Sequence, residues 1–198
     1  MLMLNTLLTI GLLILLINLG QLYQKKKKEF HNAQKLNFEI LKTNEEIKQT
    51  LAIGLYHRFN KTQGELEGEG YNPHQFESFV AEVMQKYYGG NTYVTPPIGD
   101  FGVDIEHNRS DGRYLGQVKC FSNSIPFDPI ALIHSNMIKQ NVKGGFVVTT
   151  SQFTEPAIQY NEGLKIELID GIKLVEYWLA GSEKSIENLK TERKTESA

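Results

Sequence analysis

Apolar residues follow three different patterns along this chain. From Met1 to Leu19 they are nearly continuous, and the polar interruptions are Asn5, Thr6, Thr9 and Asn18. A helix of about 20 such residues, at 1.5 Å each, covers a hydrocarbon core of roughly 30 Å. The pattern therefore predicts a transmembrane anchor over residues 1–23. Lys25–Lys28 follows at once, and lysines flanking one side of a span hold that side in the cytoplasm. The expected setting is the cell membrane, crossed once, with everything after Lys25 cytoplasmic. A cleaved signal peptide fits poorly, because no basic residue precedes the run and no small-x-small site follows it.

From Glu29 to Thr62 the apolar positions change to spacings of three, four and seven: Phe30, Ala33, Leu36, Ile40, Ile47, Leu51 and Leu55. This predicts an amphipathic helix or coiled-coil stalk over residues 24–62, which would also be the route to a homodimer. Residues 63–70 are polar and glycine-rich and read as a flexible linker.

Beyond it, periods of two and of three to four alternate. Asn72-Pro73 opens a helix whose apolar face is Phe76, Phe79, Val80, Val83 and Met84, and Gly89-Gly90 stops it. Short strands follow at Tyr93–Thr95, Val103–Glu106 and Tyr114–Phe121. A helix over Pro129–Val142, a buried strand over Gly145–Thr150, a short helix over Glu155–Glu162, a strand over Ile166–Ile169 and a last short helix with Leu174, Tyr177 and Trp178 complete the series. This order predicts an α/β domain over residues 71–180, built on a mixed sheet flanked by helices. Residues 181–198 have the composition of a disordered tail.

The chain has 198 residues, 22% of them charged and 40% hydrophobic, with a formal net charge of −2. That balance fits a globular protein and does not by itself announce a nucleic-acid partner, which depends on local patches. A single cysteine, Cys120, excludes an internal disulfide and a cysteine-built zinc site.

Polar residues stand where the strand pattern calls for apolar ones. Asp104 lies between Val103 and Ile105, while Gln117 and Lys119 share one face of the next strand, because residues two apart face the same side. An aspartate or lysine inside a sheet is costly unless paired or metal-bound. Gly99 and Gly102 allow a tight approach to the first of these strands. Asp104 offers hard oxygen to Mg²⁺, with the Val118 carbonyl as a further ligand. Mg²⁺ takes one or two protein carboxylates and keeps several waters, one of which becomes the nucleophile. Lys119 would position that water and stabilise the phosphorane. Gln117 would orient the water or ligate, and Glu77 on the first helix of the domain would add a second carboxylate. Arg109, Arg113, Lys139 and Lys143 are candidates for tracking phosphates. Taken singly, each of these residues is more often surface or turn.

Phe76-Glu77, Gly99-Asp100-Phe101-Gly102-Val103-Asp104 and Gln117-Val118-Lys119 occur in the order seen in one known group. So do Gly145–Ser151 with Phe153, Thr154 and Ala157, and Leu168-Ile169-Asp170-Gly171 with Leu174. Through them the chain resembles the Mrr-type restriction endonuclease domain of the PD-(D/E)XK nuclease superfamily, from about Tyr71 to Leu179. The resemblance implies a restriction-endonuclease-like fold and Mg²⁺-dependent cleavage of double-stranded DNA, with Mn²⁺ as a substitute. It further implies a type IV-like defence against foreign or modified DNA. Carried over by position, the catalytic set is Glu77, Asp104, Gln117 and Lys119, and the metal ligands are Asp104, Glu77 and Val118. Asp100 is a weaker candidate. A glutamine where the superfamily has Asp or Glu is typical of the Mrr branch. The alternative reading is a catalytically inactive nuclease fold that binds DNA or a partner at the membrane.

Overall fold

The computed structural model describes residues 2–60, 73–96, 99 and 101–195, and side chains within 10–60, 74–96, 99 and 101–185. The expected linker at 63–70 and Asp100 lie outside the described residues. The chain divides into two compact units, Met1–Thr43 and Asn44–Ala198.

The first unit is the helix α1 (Leu2–Thr43). The anchor expectation is corrected here: among the described residues, no helix is long and apolar enough to cross a membrane. Gln21, Gln24 and four lysines follow the apolar run.

The second unit opens at Asn44, which breaks the helix that the sequence pattern reads as continuous. Its backbone is extended (φ −98°, ψ 108°), and its side chain accepts the N–H of Ile47 at 3.1 Å. It thereby caps α2 (Glu45–Phe59). The helix α2 is part of the folded unit. Ala52, Leu55 and Phe59 are buried, and the Phe59 ring lies 5.2 Å from those of both Phe76 and Phe79. Lys48 is only 4% exposed, and its Nζ meets Glu176 Oε1 at 2.6 Å and Glu45 Oε1 at 2.5 Å.

The remaining elements are α3 (Pro73–Tyr88), β1 (Asn91–Val94), β2 (Ile105–Arg109), β3 (Gly112–Lys119), α4 (Asp128–Gln140), β4 (Gly144–Thr149), α5 (Glu155–Tyr160), β5 (Ile166–Ile169) and α6 (Gly171–Thr195). The five strands form one mixed sheet in the order β1-β2-β3-β4-β5. Pairing is antiparallel between β1, β2 and β3, and parallel between β3, β4 and β5. The parallel pairs are joined through α4 and α5, the usual way to return a chain to the same end of a sheet. All six residues of β4 are buried, as expected of a parallel strand covered on both faces.

Two layers cover the sheet. On one side Val103, Leu115, Ile130, Ile133, Met137, Val147, Ala157 and Ile166 form a continuous core beneath α4 and α5. On the other, α3 packs against α6, and Gly116 makes room for the Phe146 ring, with which any Cβ would collide. The helix α6 runs to Thr195, through the segment that composition marks as a tail.

Candidate active site

Asp104 lies one residue ahead of β2, and its backbone bonds to both sides. Its N–H donates to the Gly116 carbonyl at 2.8 Å, and its own carbonyl accepts from Thr95 N at 3.0 Å. The register pairs Ile105 with that same Gly116, so Asp104 and Ile105 both stand opposite one residue of β3, the pattern of a β-bulge. Gln117 and Lys119, two residues apart, share one face of β3.

The Asp104 carboxylate is 8% exposed, and its Oδ2 accepts the backbone N–H of Val118 at 2.7 Å. This bond fixes the carboxylate against β3. Gln117 is 5% exposed, and its Oε1 is buried with no hydrogen-bond partner among the described residues. Gly102 has φ +80°; a Cβ there would strike Leu132 and lie 3.1 Å from Gln117 Nε2. The glycine expected from sequence is thus required twice, by its backbone angle and by the crowding above the glutamine.

Glu77 reaches the cluster from α3. Its carboxyl titrates above the usual carboxylate range, first because it is buried and next because the Asp104 charge lies close by; His74 and the Lys119 charge act in the opposite direction. Glu77 therefore feels the charges of both Asp104 and Lys119. His74 Nδ1 lies 2.8 Å from Glu77 Oε2. Sequence reasoning missed His74, although its spacing of three from Glu77 on a helix is the signal that would have found it. It also missed the buried Asn136, whose Nδ2 donates to the carbonyls of Phe101 and Leu132, both at 3.0 Å. That amide pins Phe101, which has φ +52°, on the approach to Asp104.

The basic residues expected to track phosphates are mostly engaged elsewhere. The Arg109 guanidinium lies 3.6 Å from the Tyr88 ring and 4.2 Å from the Tyr114 ring. Arg113 meets Glu106 and Gln140, and Lys143 pairs with Asp111 at 2.8 Å. Lys139 stands over the Phe101 ring at 4.7 Å, at the edge of the site.

Among the described residues no group of three His, Cys, Asp or Glu side chains is gathered as a metal site. The donor set here is of another kind: two carboxylates, Asp104 and Glu77, and one amide oxygen. Such a hard-oxygen set suits Mg²⁺, which takes one or two carboxylates and otherwise keeps water. The buried, unpartnered Gln117 Oε1 fits a cation or its water, since an orphaned buried acceptor is otherwise unfavourable by about 1–3 kcal/mol.

A five-stranded mixed sheet, helices on both faces and an acid–amide–lysine cluster beside the β2–β3 hairpin define a restriction-endonuclease-like domain. The family model described as "Mrr_cat: Restriction endonuclease" matches residues 69–178, more than half of the chain, and the chain belongs to that family. Among solved structures the chain is similar to "DNA modification-dependent restriction endonuclease AspBHI", at 17% identity and a TM-score of 0.53, over 69% of this chain and 36% of that one. It also matches "MspJI Restriction Endonuclease in Complex with 27-mer Oligonucleotide", at 20% identity and a TM-score of 0.49, over 68% of this chain and 32% of that one. The chain thus spans about a third of the length of each. No curated protein matches it.

Proposed function

We propose that this chain is a divalent-metal-dependent endonuclease that hydrolyses phosphodiester bonds of double-stranded DNA, acting on foreign or modified DNA in the manner of type IV restriction. The observation that carries the reading is the buried Gln117 Oε1, without a hydrogen-bond partner among the described residues, on the strand to which the Val118 N–H ties the Asp104 carboxylate.

Asp104, Glu77 and Gln117 Oε1 would hold Mg²⁺, with the Val118 carbonyl as a further ligand. When bound, the metal supplies an acidified water and neutralises charge on the phosphate. Lys119 positions the attacking water and sets its ammonium against the charge that grows on the phosphorus oxygens. The Val118 N–H holds Asp104 in its ligating orientation, and His74 does the same for Glu77. Asp100, which precedes the strained Phe101–Gly102 turn, keeps a secondary role in this reading.

The test is a cleavage assay on the full chain with supercoiled, linear, methylated and unmodified DNA, in Mg²⁺, in Mn²⁺ and in EDTA. Cutting in either metal, its loss in EDTA and a preference for modified DNA are the expected results. Metal-independent cutting, or cutting that survives both Asp104→Ala and Lys119→Ala, overturns the proposal.

A further inference from the structure

A cavity of the folded unit lies apart from the acid–lysine cluster. It holds about 540 Å³ and lies at the carboxyl ends of β3, β4 and β5, beside α2. Parallel α/β sheets bind ligands in the crevice outside these strand ends, and the volume suits a small organic group.

The lining has a definite chemistry. Tyr56 and Phe121 present aromatic rings, and Gln49, Gln152, Ser122 and Ser124 present two amides and two hydroxyls. Such groups both donate and accept, as the edges of nucleobases do. None of these four side chains makes a hydrogen bond within the described residues, so all four remain available. No lysine or arginine lines the cavity, which argues against a phosphate as its occupant. Asp170, the one carboxylate, is engaged at the start of α6, where its Oδ1 accepts from Lys173 N at 2.8 Å. Phe121 and the lining residue Ile53 are 50% and 59% exposed, so the cavity has apolar walls that are open among the described residues.

Its position ties it to the chemistry. Phe121 follows Lys119 by two residues, about 7 Å at 3.3 Å per residue, which is about two base steps along a DNA strand. Lys119 pairs with Thr149 in the register, and Thr150 lines the cavity.

We propose that this cavity receives one nucleobase of the DNA being cut, turned out of the helix, with its faces against Phe121 and Tyr56 and its edge against the Gln and Ser side chains. Turning a base out costs a few kcal/mol, offset by stacking and edge contacts. The proposal rests on the endonuclease reading, and a nucleobase could also arrive as a free deoxynucleoside.

The experiment uses the full chain in metal-free buffer, so that nothing is cut, with duplexes carrying 2-aminopurine at each position in turn. A several-fold rise in fluorescence at one position is expected. Phe121→Ala should weaken binding of that duplex about tenfold, the loss of one base–aromatic stack. Ile53→Trp, which fills the mouth, should abolish the rise, while melting temperatures of both variants stay near that of the wild type because both side chains are half exposed. No rise at any position, or a rise that survives both substitutions, overturns the proposal. So does binding of free deoxynucleosides that depends on the same two residues without a rise on DNA. Cutting in Mg²⁺ by the same preparation is scored separately. Cutting without a rise rejects the base pocket and keeps the endonuclease; a chain that cuts no DNA rejects the endonuclease itself.

Discussion

The carboxylate of Asp104 accepts the backbone N–H of Val118 at 2.7 Å, so the acid of the site is tied to the strand that carries Gln117 and Lys119. Asp104→Ala removes both the charge and the acceptor. A buried N–H left unpaired lowers stability by about 1–3 kcal/mol. Asp104→Asn keeps an acceptor and should fold close to wild type, yet lower the cleavage rate by about 100-fold or more through loss of a metal ligand. Urea melts and cleavage rates on the two variants separate the structural part from the chemical one.

Glu77 gives a pH signature. Its folded-state carboxyl titrates above the ordinary value, chiefly from burial and the nearby Asp104 charge. Between the ordinary and the raised value the unfolded chain has already released the proton while the folded chain keeps it, so stability falls as pH rises through that window and stays lower above it. In EDTA, Glu77→Gln should therefore melt higher than wild type at neutral pH, and the difference should shrink below the ordinary carboxylate range. Mg²⁺ should raise the wild-type melting temperature more than that of the variant.

His107 acts in the opposite sense. It is fully buried on the α3 side, with Nε2 2.7 Å from the Gly89 carbonyl and Nδ1 accepting from Arg109 Nε at 3.1 Å. Burial holds its pKa below the ordinary value. Below that value the unfolded chain takes up a proton that the folded chain refuses, so stability is lost as pH falls from about 6.5, the unperturbed histidine value. Thermal melts from pH 8 to pH 5 should show this slope, and His107→Gln should remove the histidine's share of it.

A chain beginning at Gly64 keeps the family match but loses α2. Ala52, Leu55 and Phe59 leave the core and Lys48 no longer meets Glu176. At about 1.5–3 kcal/mol for each large apolar side chain, the shorter chain should melt well below one that begins at Asn44. Parallel thermal melts of the two chains measure this.

Gly102→Ala adds a methyl at φ +80° against Leu132 and next to Gln117 Nε2. The backbone penalty alone is of order 1 kcal/mol. Cleavage should fall further than stability, because the displaced group is the glutamine of the site. Leu132→Ala in the same chain should relieve the clash and recover part of the melting temperature, and the backbone penalty should remain.

Much of this was legible in residue order. The β5 bounds match the period-two reading, and Asp104, Gln117 and Lys119 were marked by being polar at apolar strand positions. What sequence could not give depended on distant partners. The apolar positions of α2 fit a stalk as well as a domain helix until Phe59 meets Phe76 and Phe79. The burial of Lys48 needs Glu176, 128 residues away. The break at Asn44 rests on one capping bond, and the length of α6 ran against its polar composition. Charge alone makes Arg109, Arg113 and Lys143 candidates for tracking phosphates, whereas rings and carboxylates already engage them.

The register between β2 and β3 has a further consequence. Side chains on a strand alternate strictly, so a slip of one residue turns Gln117 and Lys119 away from Asp104. Glu77 joins only once α3 has docked on the sheet. The candidate site is therefore assembled only by folding: no stretch of the chain carries it until the hairpin has closed in its native alignment.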